Sequence, residues 1–600
     1  MSADTKLTSV TRPTAPWVLL ESFTTGREAR SFLFSRPEQI IEARCPEEVL
    51  SALEAIQRQV DAGKHAAGFL AYEAASGLDD HLTVHDEEQF PLFWFGIFQQ
   101  RQTVAPGLFR AEGTYQRTPW QSAISETGYR ENFSKIRKYL IAGDTYQVNY
   151  SFKLQAEIQG DPFALFRDMT GNQRTAFSAY CDTGRWQVLS ASPELLFSLE
   201  SSRLMARPMK GTMPRGRWPE EDSIQRERLR RSEKDRSENL MIVDLLRNDL
   251  GRIAQTGSVE ASNAFHIESY ETVLQMTSTI QSKIQPGISI PELMQAMFPG
   301  GSITGAPKIR TMEIIRELEP LPRRIYTGSI GYFSPGPEAM FNIAIRTALV
   351  DSATGTIEMG VGSGVTIAST PDGEYNECLD KAQFTMQPRP DFQLLETMLH
   401  EGDQGYFLLE RHVARLAASA NYFGFQCDAA DIRQQLSKRV QQFETDQTRV
   451  RALLSRNGEL EIQHYPLDDA EQAAGETVGI AQVPVDTGQV WLFHKTTHRQ
   501  VYEEALQSRP DCDHILLLNE RGELTESNIA NVALLIDGRW LTPPVESGLL
   551  NGTYRAEMLE TGQITEAVLT KADIHMADRI ALLNSVWRWK EVRFVEETKE

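Results

Sequence analysis

The chain has 600 residues, 41% of them hydrophobic and 24% charged, which are ordinary globular values over a length that suits roughly two to four domains. A formal net charge of −21 argues against nucleic acid as the main partner, because phosphate binding needs a basic face, although a local Arg and Lys cluster could still hold a small anion. No apolar run approaches a membrane span, "MSADTKLTSVTRPTAP" lacks a signal-type apolar core, and the five cysteines form no CxxC pair. Together these predict a cytoplasmic chain with no membrane partner, no nucleic-acid partner and no structural zinc.

In chain order, residues 1–124 alternate strand-like runs ("WVLLESF", "FPLFWFGIF") with helical stretches such as "PEEVLSALEAIQRQVDAG". Residues 125–386 carry dense glycine-rich signatures. "QPRPD", 387–391, reads as a linker because its two prolines resist helix. Residues 392–600 restart with a strand in "FQLLETML" and an amphipathic helix in "LLERHVARLAASANYFGF", and have the size of one α/β domain.

In "RPMKGTMPRG", 207–216, the prolines and glycines predict turn or strand-end backbone, and Lys210 has Met, Gly and Thr around it. That setting suits a partly desolvated amine as well as a surface lysine. In "PGGSITGAPKIRTMEIIRELEP" the GxxxxG spacing of Gly300 and Gly305 resembles a phosphate loop, but Ala306 stands where that loop needs lysine. What remains is a glycine turn and a helix over 307–318 with Pro307 at its first position, a start that favours a carboxylate. Asp235 and Glu238, then Glu374 and Glu377, form acid pairs three apart on predicted helices, with Lys381 one turn beyond the second. Taken alone, each pair suits a solvated helix face as well as a set of Mg²⁺ ligands.

These stretches, with "GDTYQVNYS", "SASPELLF", "YTGSIGYF", "FNIAIRT", "GVGSG" and "EYNECLDKA", follow in order through roughly 125–386 and resemble the chorismate-utilising enzymes. "LLES" at 19–22 is similar to the N-terminal portion of the anthranilate and aminodeoxychorismate members, which in some of them forms a tryptophan pocket. The resemblance implies an α/β (α+β) fold, the αββα sandwich of the anthranilate synthase component I type. It also implies that Glu238 and Glu377 bind Mg²⁺ directly, with Asp235 and Glu374 supporting it through water. By the same resemblance, Tyr326, Arg346, Gly362, Ser363 and Gly364 are expected to clamp a carboxylate of chorismate, Lys381, Thr304 and Gln147 to meet the substrate, and Glu194 to protonate the departing 4-hydroxyl. Lysine at 210, where other members usually have alanine, resembles the aminodeoxychorismate-forming members and implies a covalent lysine adduct. Gln147, where isochorismate-forming members have lysine, agrees with that reading. Gln275 departs from the histidine many members carry. None of the five cysteines sits in a glutaminase-type elbow, so the resemblance implies a separate glutamine amidotransferase subunit, or free ammonia.

In the last region, "VWLFHKTTHRQVYEEA" predicts Lys495 at the end of an alternating strand, before a helix. "RGELTESNIANVALLIDG" predicts a turn leading into a strand that begins at Glu526, and "LLNGTYRAEMLE" a helix start at Gly552–Thr553 that suits a phosphate. Together these resemble the class IV pyridoxal-phosphate enzymes, aminotransferases and aminodeoxychorismate lyase among them. The resemblance implies that Lys495 forms a Schiff base with pyridoxal 5′-phosphate, that Arg415 and the Gly552–Thr553 backbone hold the phosphate, and that Glu526 pairs with the ring nitrogen. Arg451 and Ser585 are further contact candidates, and the family allows a homodimer through this domain.

The two resemblances imply a chain that aminates chorismate and then releases pyruvate to give 4-aminobenzoate. The alternatives are a second half that is an amino-acid aminotransferase, or a non-catalytic dimerisation or regulatory module, and a first half that makes anthranilate.

Overall fold

The computed structural model describes residues 11–24, 30–386, 390–467 and 475–596, so residues 387–389 of the proline-rich linker lie outside the described residues. The chain forms two compact units: Met1–Pro214 with Arg226–Arg389, and Arg215–Gln225 with Pro390–Glu600.

The first unit is built on an 11-stranded and a 10-stranded sheet. Their strands sort side chains by the two-residue period of an extended chain. In the strand Trp17–Glu21, Trp17 and Leu19 enter one core while Val18 and Leu20 enter another. In Phe93–Phe98 of the other sheet, Phe93, Phe95 and Ile97 part in the same way from Trp94 and Phe98. Val18, Leu20, Phe32 and Phe34 meet Phe69, Trp94, Ile330 and Tyr332 in one cluster between the sheets. The outer faces are covered by helices: Pro46–Asp61, Glu233–Gly251 and Ile290–Met297 on the 10-stranded sheet, and Glu126–Ala142, Pro162–Asn172 and Lys308–Leu318 on the other. The result is an αββα sandwich, in which continuous apolar strands are explained by burial on both faces. The helix Pro46–Asp61 buries Val49, Ala52, Leu53, Ile56 and Val60, the i, i+3, i+4 stripe visible in the sequence.

The second unit pairs a four-stranded antiparallel sheet with a mixed eight-stranded sheet. The helix Leu409–Phe423 packs Val413, Leu416, Ala420 and Phe423 on Leu394, Met398 and Val450 of the smaller sheet.

Three local expectations are corrected. The helix after the glycine turn is Lys308–Leu318, with Pro307 as its N-cap in extended backbone, because Gly305–Ala306 first pairs with Gln147–Val148. Residues 490–495 are not a strand: Val490–Leu492 is a 3₁₀ turn, and the chain around Lys495 meets the edge of the strand Leu394–Glu401 through the isolated Leu394–Thr496 bridge, with the Leu395 N–H bonding the Lys495 carbonyl and the Thr497 N–H the Gln393 carbonyl. Glu526 lies inside the short strand Leu524–Ser527, ahead of the strand Asn531–Ile536, because 528–530 make a turn between them.

Candidate active sites

In the first unit, Lys210 is the second residue of the strand Met209–Pro214. Its carbonyl accepts from Asn239 Nδ2 at 3.4 Å, and Asn239 in turn accepts from Ser278 Oγ at 2.6 Å, so a helix and a neighbouring strand fix the backbone there. Gly211 has φ +96° and a Cβ on it would lie 2.9 Å from Asp235 Cβ, so only glycine lets the strand turn this close to the acid-bearing helix.

The Lys210 side chain reaches a cavity of about 210 Å³ lined also by Glu194, Asp235, Glu238, Tyr326, Arg346, Gly362, Gly364, Glu374, Glu377 and Lys381. Glycines 360, 362 and 364 of the strand Thr356–Val365 share one face by the two-residue period. A Cβ at Gly360 would sit 2.1 Å from the Tyr326 ring, and one at Gly364 would sit 2.9 Å from Lys210 Nζ and 3.1 Å from Gln147 Nε2. The "GVGSG" pattern is therefore a bare strip on which the tyrosine and the lysine lie. Ser363, between two of these glycines, is buried toward the opposite face. Gln147 and Thr304 are also buried and do not line the cavity, although the Gln147 amide lies against the same glycine strip as Lys210. Thr304 Oγ1 bonds the carbonyls of Gly300 and Gly301, and the Gln147 amide has no hydrogen-bond partner among the described residues.

Enclosure sets the charges. Loss of hydration holds the Lys210 amine below the ordinary lysine pKa, opposed by the charge of Glu238. Glu194 is buried and pushed up by desolvation, although it accepts from Ser302 Oγ at 2.7 Å. Arg346, in left-handed backbone at φ 53°, is pushed down to about 10 by burial. Glu238 is raised by desolvation and by the nearby Asp235 and Glu374. Lys381 is already committed: its Nζ donates to the Gly362 carbonyl at 2.9 Å and pairs with Glu377 at 2.7 Å. No group of three or more acids, histidines or cysteines among the described residues is arranged as a finished metal cage. The donor set nevertheless suits a hard cation, since Asp235, Glu238, Glu374 and Glu377 share the wall and the first and third of these raise the pKa of Glu238.

In the second unit a cavity of about 370 Å³ is lined by Arg415, Arg451, Lys495, Glu526, Gly552, Thr553 and Ser585, and also by Arg449, Arg499, Tyr502 and Asn531. Burial, reinforced by Arg415 and Arg499, lowers Lys495 to about 8. Burial raises Glu526 to about 7, while Tyr502 OH donates to it at 2.7 Å and Asn531 Nδ2 at 3.3 Å. A buried carboxylate of this kind is short of a cationic partner, and a protonated pyridine nitrogen is one.

Opposite, Arg415 holds Glu396 with two bonds of 2.9 and 2.7 Å and donates to the Asn551 carbonyl at 3.2 Å. Burial alone would raise Glu396, but Arg415 and His412 bring it down to about 2. Burial lowers His412, so its neutral ring donates Nδ1–H to Glu396 at 2.7 Å and accepts at Nε2 from Thr553 Oγ1 at 3.3 Å. Gly552 is the N-cap of the helix Thr553–Glu560, with no side chain capping its first N–H groups, and a Cβ there would lie 1.9 Å from Asn531 Oδ1. An open helix start beside an arginine, a buried acid and an enclosed lysine fit pyridoxal phosphate.

The sequence reading missed Ser302, Tyr502, Asn531, Glu396 and His412. Ser302 lies in the glycine-rich turn before the helix Lys308–Leu318, but Tyr502 and Asn531 reach Glu526 only through the fold.

All five thiols are pushed above the usual cysteine pKa, Cys45 by its bond to Glu47 and Cys181, Cys378, Cys427 and Cys512 by burial. None is an activated thiolate. Among the described residues no helix is long and apolar enough to cross a membrane.

Comparison with known proteins matches two stretches of the chain to two families. Residues 393–595 match the model of the amino-transferase class IV family. Aminodeoxychorismate synthase component 1 of Salmonella typhimurium is 42% identical over 45% of this chain and 59% of its own, and that of Bacillus subtilis 40% identical over 46% and 58%. The chain thus spans under two thirds of those relatives. Anthranilate synthase component I of Streptococcus pneumoniae, at 22% identity and TM-score 0.50 over 64% of this chain and 95% of that one, shares the fold. The sandwich, its glycine strip and its acid-lined cavity all fall within residues 16–387, which match the model of the chorismate binding enzyme across more than half of the sequence, and the chain belongs to that family.

Proposed function

We propose that the first unit converts chorismate and ammonia to 4-amino-4-deoxychorismate, and that the second turns this product into 4-aminobenzoate and pyruvate. The observation that carries the first step is Lys210, an amine with lowered pKa on the wall that also bears the raised acid Glu194. The uncharged amine attacks C2 of the ring as the hydroxyl leaves C4, and Glu194 delivers the proton that lets it leave as water. Ammonia then bonds to C4 and the lysine departs from C2 with its electron pair. Tyr326 and Arg346 orient one carboxylate. Glu238 and Glu377 would hold Mg²⁺ with Asp235 and Glu374 behind them, and the ion, when bound, neutralises the other carboxylate. Ammonia comes from a glutamine amidotransferase component or from solution.

Glu238→Gln and Glu377→Gln each remove one anionic ligand at nearly constant shape. Each is expected to raise the Mg²⁺ concentration for half-maximal amination by about tenfold or more, with pyruvate release from added 4-amino-4-deoxychorismate unchanged. A parental Mg²⁺ titration in either variant would remove that residue from the metal set.

For the second step, pyridoxal phosphate supplies an electron sink when bound. Arg415 and the start of the Thr553–Glu560 helix would hold its phosphate, and Glu526 would pair with its ring nitrogen. Lys495 takes the proton from the ring carbon that bears the amine; the freed electron pair forms a ring double bond as the neighbouring C–O bond breaks, and the enolpyruvyl group leaves with that bond's electrons and is protonated to pyruvate. Arg449, Arg451 and Arg499 on the same wall suit a substrate with two carboxylates, which favours the lyase over an aminotransferase for neutral amino acids. The test is pyruvate release from 4-amino-4-deoxychorismate. Transamination of branched-chain amino acids without that release would favour the aminotransferase.

The lowered Lys495 pKa has a measurable sign. A lysine is nucleophilic only when uncharged, and with a pKa near 8 the uncharged fraction climbs from about a tenth at pH 7 to about nine tenths at pH 9. Capture of pyridoxal phosphate by the cofactor-free chain, followed by its visible band, is therefore expected to quicken about tenfold over that interval and then level off. A capture rate that keeps climbing toward pH 10.5 would mean an ordinary, solvated lysine.

A further inference from the structure

Residues 215–225 lie within the stretch that matches the chorismate binding family, yet they pack in the second unit. The Arg215 guanidinium lies 4.1 Å from the centre of the Tyr422 ring, and Tyr422 OH donates to the Gly216 carbonyl at 2.7 Å. Trp218 stacks on Phe493 with ring centres 4.9 Å apart and planes 26° apart, and the Arg217 guanidinium stands over both rings at 4.8 and 5.2 Å. Arg217 Nη1 donates to the Thr487 carbonyl at 3.1 Å. A further contact falls on His494: its Nε2 lies 3.2 Å from the Arg217 carbonyl and its Nδ1 2.9 Å from Ser419 Oγ. A carbonyl oxygen can only accept, so Nε2 carries the hydrogen, and in the neutral ring Nδ1 accepts from the serine hydroxyl. The buried imidazole is also packed between Tyr422 and Phe423, at 4.4 and 4.7 Å.

Phe493 and His494 immediately precede Lys495. No regular strand holds this stretch; on its other side it is fixed by the Leu395 N–H bond to the Lys495 carbonyl. We propose that Trp218 and the Arg217 carbonyl are positioning elements for Lys495: they clamp Phe493 and His494, and so set the direction in which the lysine amine enters the cofactor cavity. The class IV site is then completed by eleven residues that precede its own family segment by more than 160 positions. A reactive side chain gains from partners that lock it from behind, as the outer partners of metal ligands do.

The inference rests on Lys495 as the cofactor lysine. The experiment uses the full chain with pyridoxal phosphate alone, measuring the dissociation constant and the pH midpoint at which the visible band of the lysine-bound cofactor changes. Trp218→Ala is expected to weaken binding about tenfold, the scale of losing an outer partner, and to move the midpoint by about half a pH unit or more, since a freed lysine tip samples different surroundings. Trp218→Phe keeps the stack and restores both values. His494→Gln, which removes the ring held at Arg217, carries the same expectation and decides the matter if circular dichroism shows Trp218→Ala to be misfolded. Parental affinity and midpoint in a folded variant overturn the proposal, and so does weaker affinity with an unmoved midpoint, which marks a merely structural role. A parental chain that gives no visible band would instead fail the Lys495 assignment.

Discussion

Lys210→Ala is expected to reduce formation of 4-amino-4-deoxychorismate to below about a thousandth of the parental rate, the scale of losing a group that acts on the reacting atoms. The cause is local. The strand backbone at 210 is held by Asn239 and the glycine strip leaves a slot for the side chain, so the truncation removes an amine without disturbing the wall. Folding and Mg²⁺-dependent chorismate binding are expected to persist, because the acids and Arg346 stay in place. Binding by equilibrium dialysis and product by chromatography separate the two effects. A parental rate in the variant removes Lys210 as nucleophile. Anthranilate among the variant's products would show that ammonia still reaches the ring without it.

Lys495→Ala is expected to stop 4-aminobenzoate formation while 4-amino-4-deoxychorismate accumulates at the parental rate. The variant loses both the amine that captures the cofactor and the base at the ring carbon, whereas Glu526, Arg415 and the helix start remain. Both products are followed in one reaction. Continued 4-aminobenzoate above the spontaneous background would place the lyase chemistry elsewhere. Loss of both products would mean that the two units do not fold or act separately.

Much of this architecture was legible because the sequence signals were local. The helix Pro46–Asp61 announces itself through its apolar stripe and N-terminal proline, and the strands Trp17–Glu21 and Phe93–Phe98 through apolar runs. Asp235 with Glu238, and Glu374 with Glu377, were placed on the wall of one cavity by helical spacing together with the family resemblance. The errors arose where tertiary pairing outvoted pattern. "VWLFHK" alternates like a strand, but aromatic packing of Trp491 and Phe493 on different partners curls it into a 3₁₀ turn. Tyr502, Asn531 and Ser302 complete the surroundings of Glu526 and Glu194 by contacts no spacing rule encodes. Ser363 and Thr304 show the converse: motif residues that serve the wall from behind, one by strand alternation and one by bonding the glycine turn. The membership of 215–225 in the second unit had no sequence signal, since its Arg-Gly-Arg-Trp run has the composition of an exposed loop.

The most direct measurement is a single incubation of the pure chain with chorismate, ammonium, Mg²⁺ and pyridoxal phosphate, with every product identified by chromatography and mass. The account predicts 4-aminobenzoate and pyruvate in equal amounts, preceded by transient 4-amino-4-deoxychorismate. Anthranilate or isochorismate as the main product would contradict the role of Lys210, and 4-amino-4-deoxychorismate as the final product would contradict the role of the second unit.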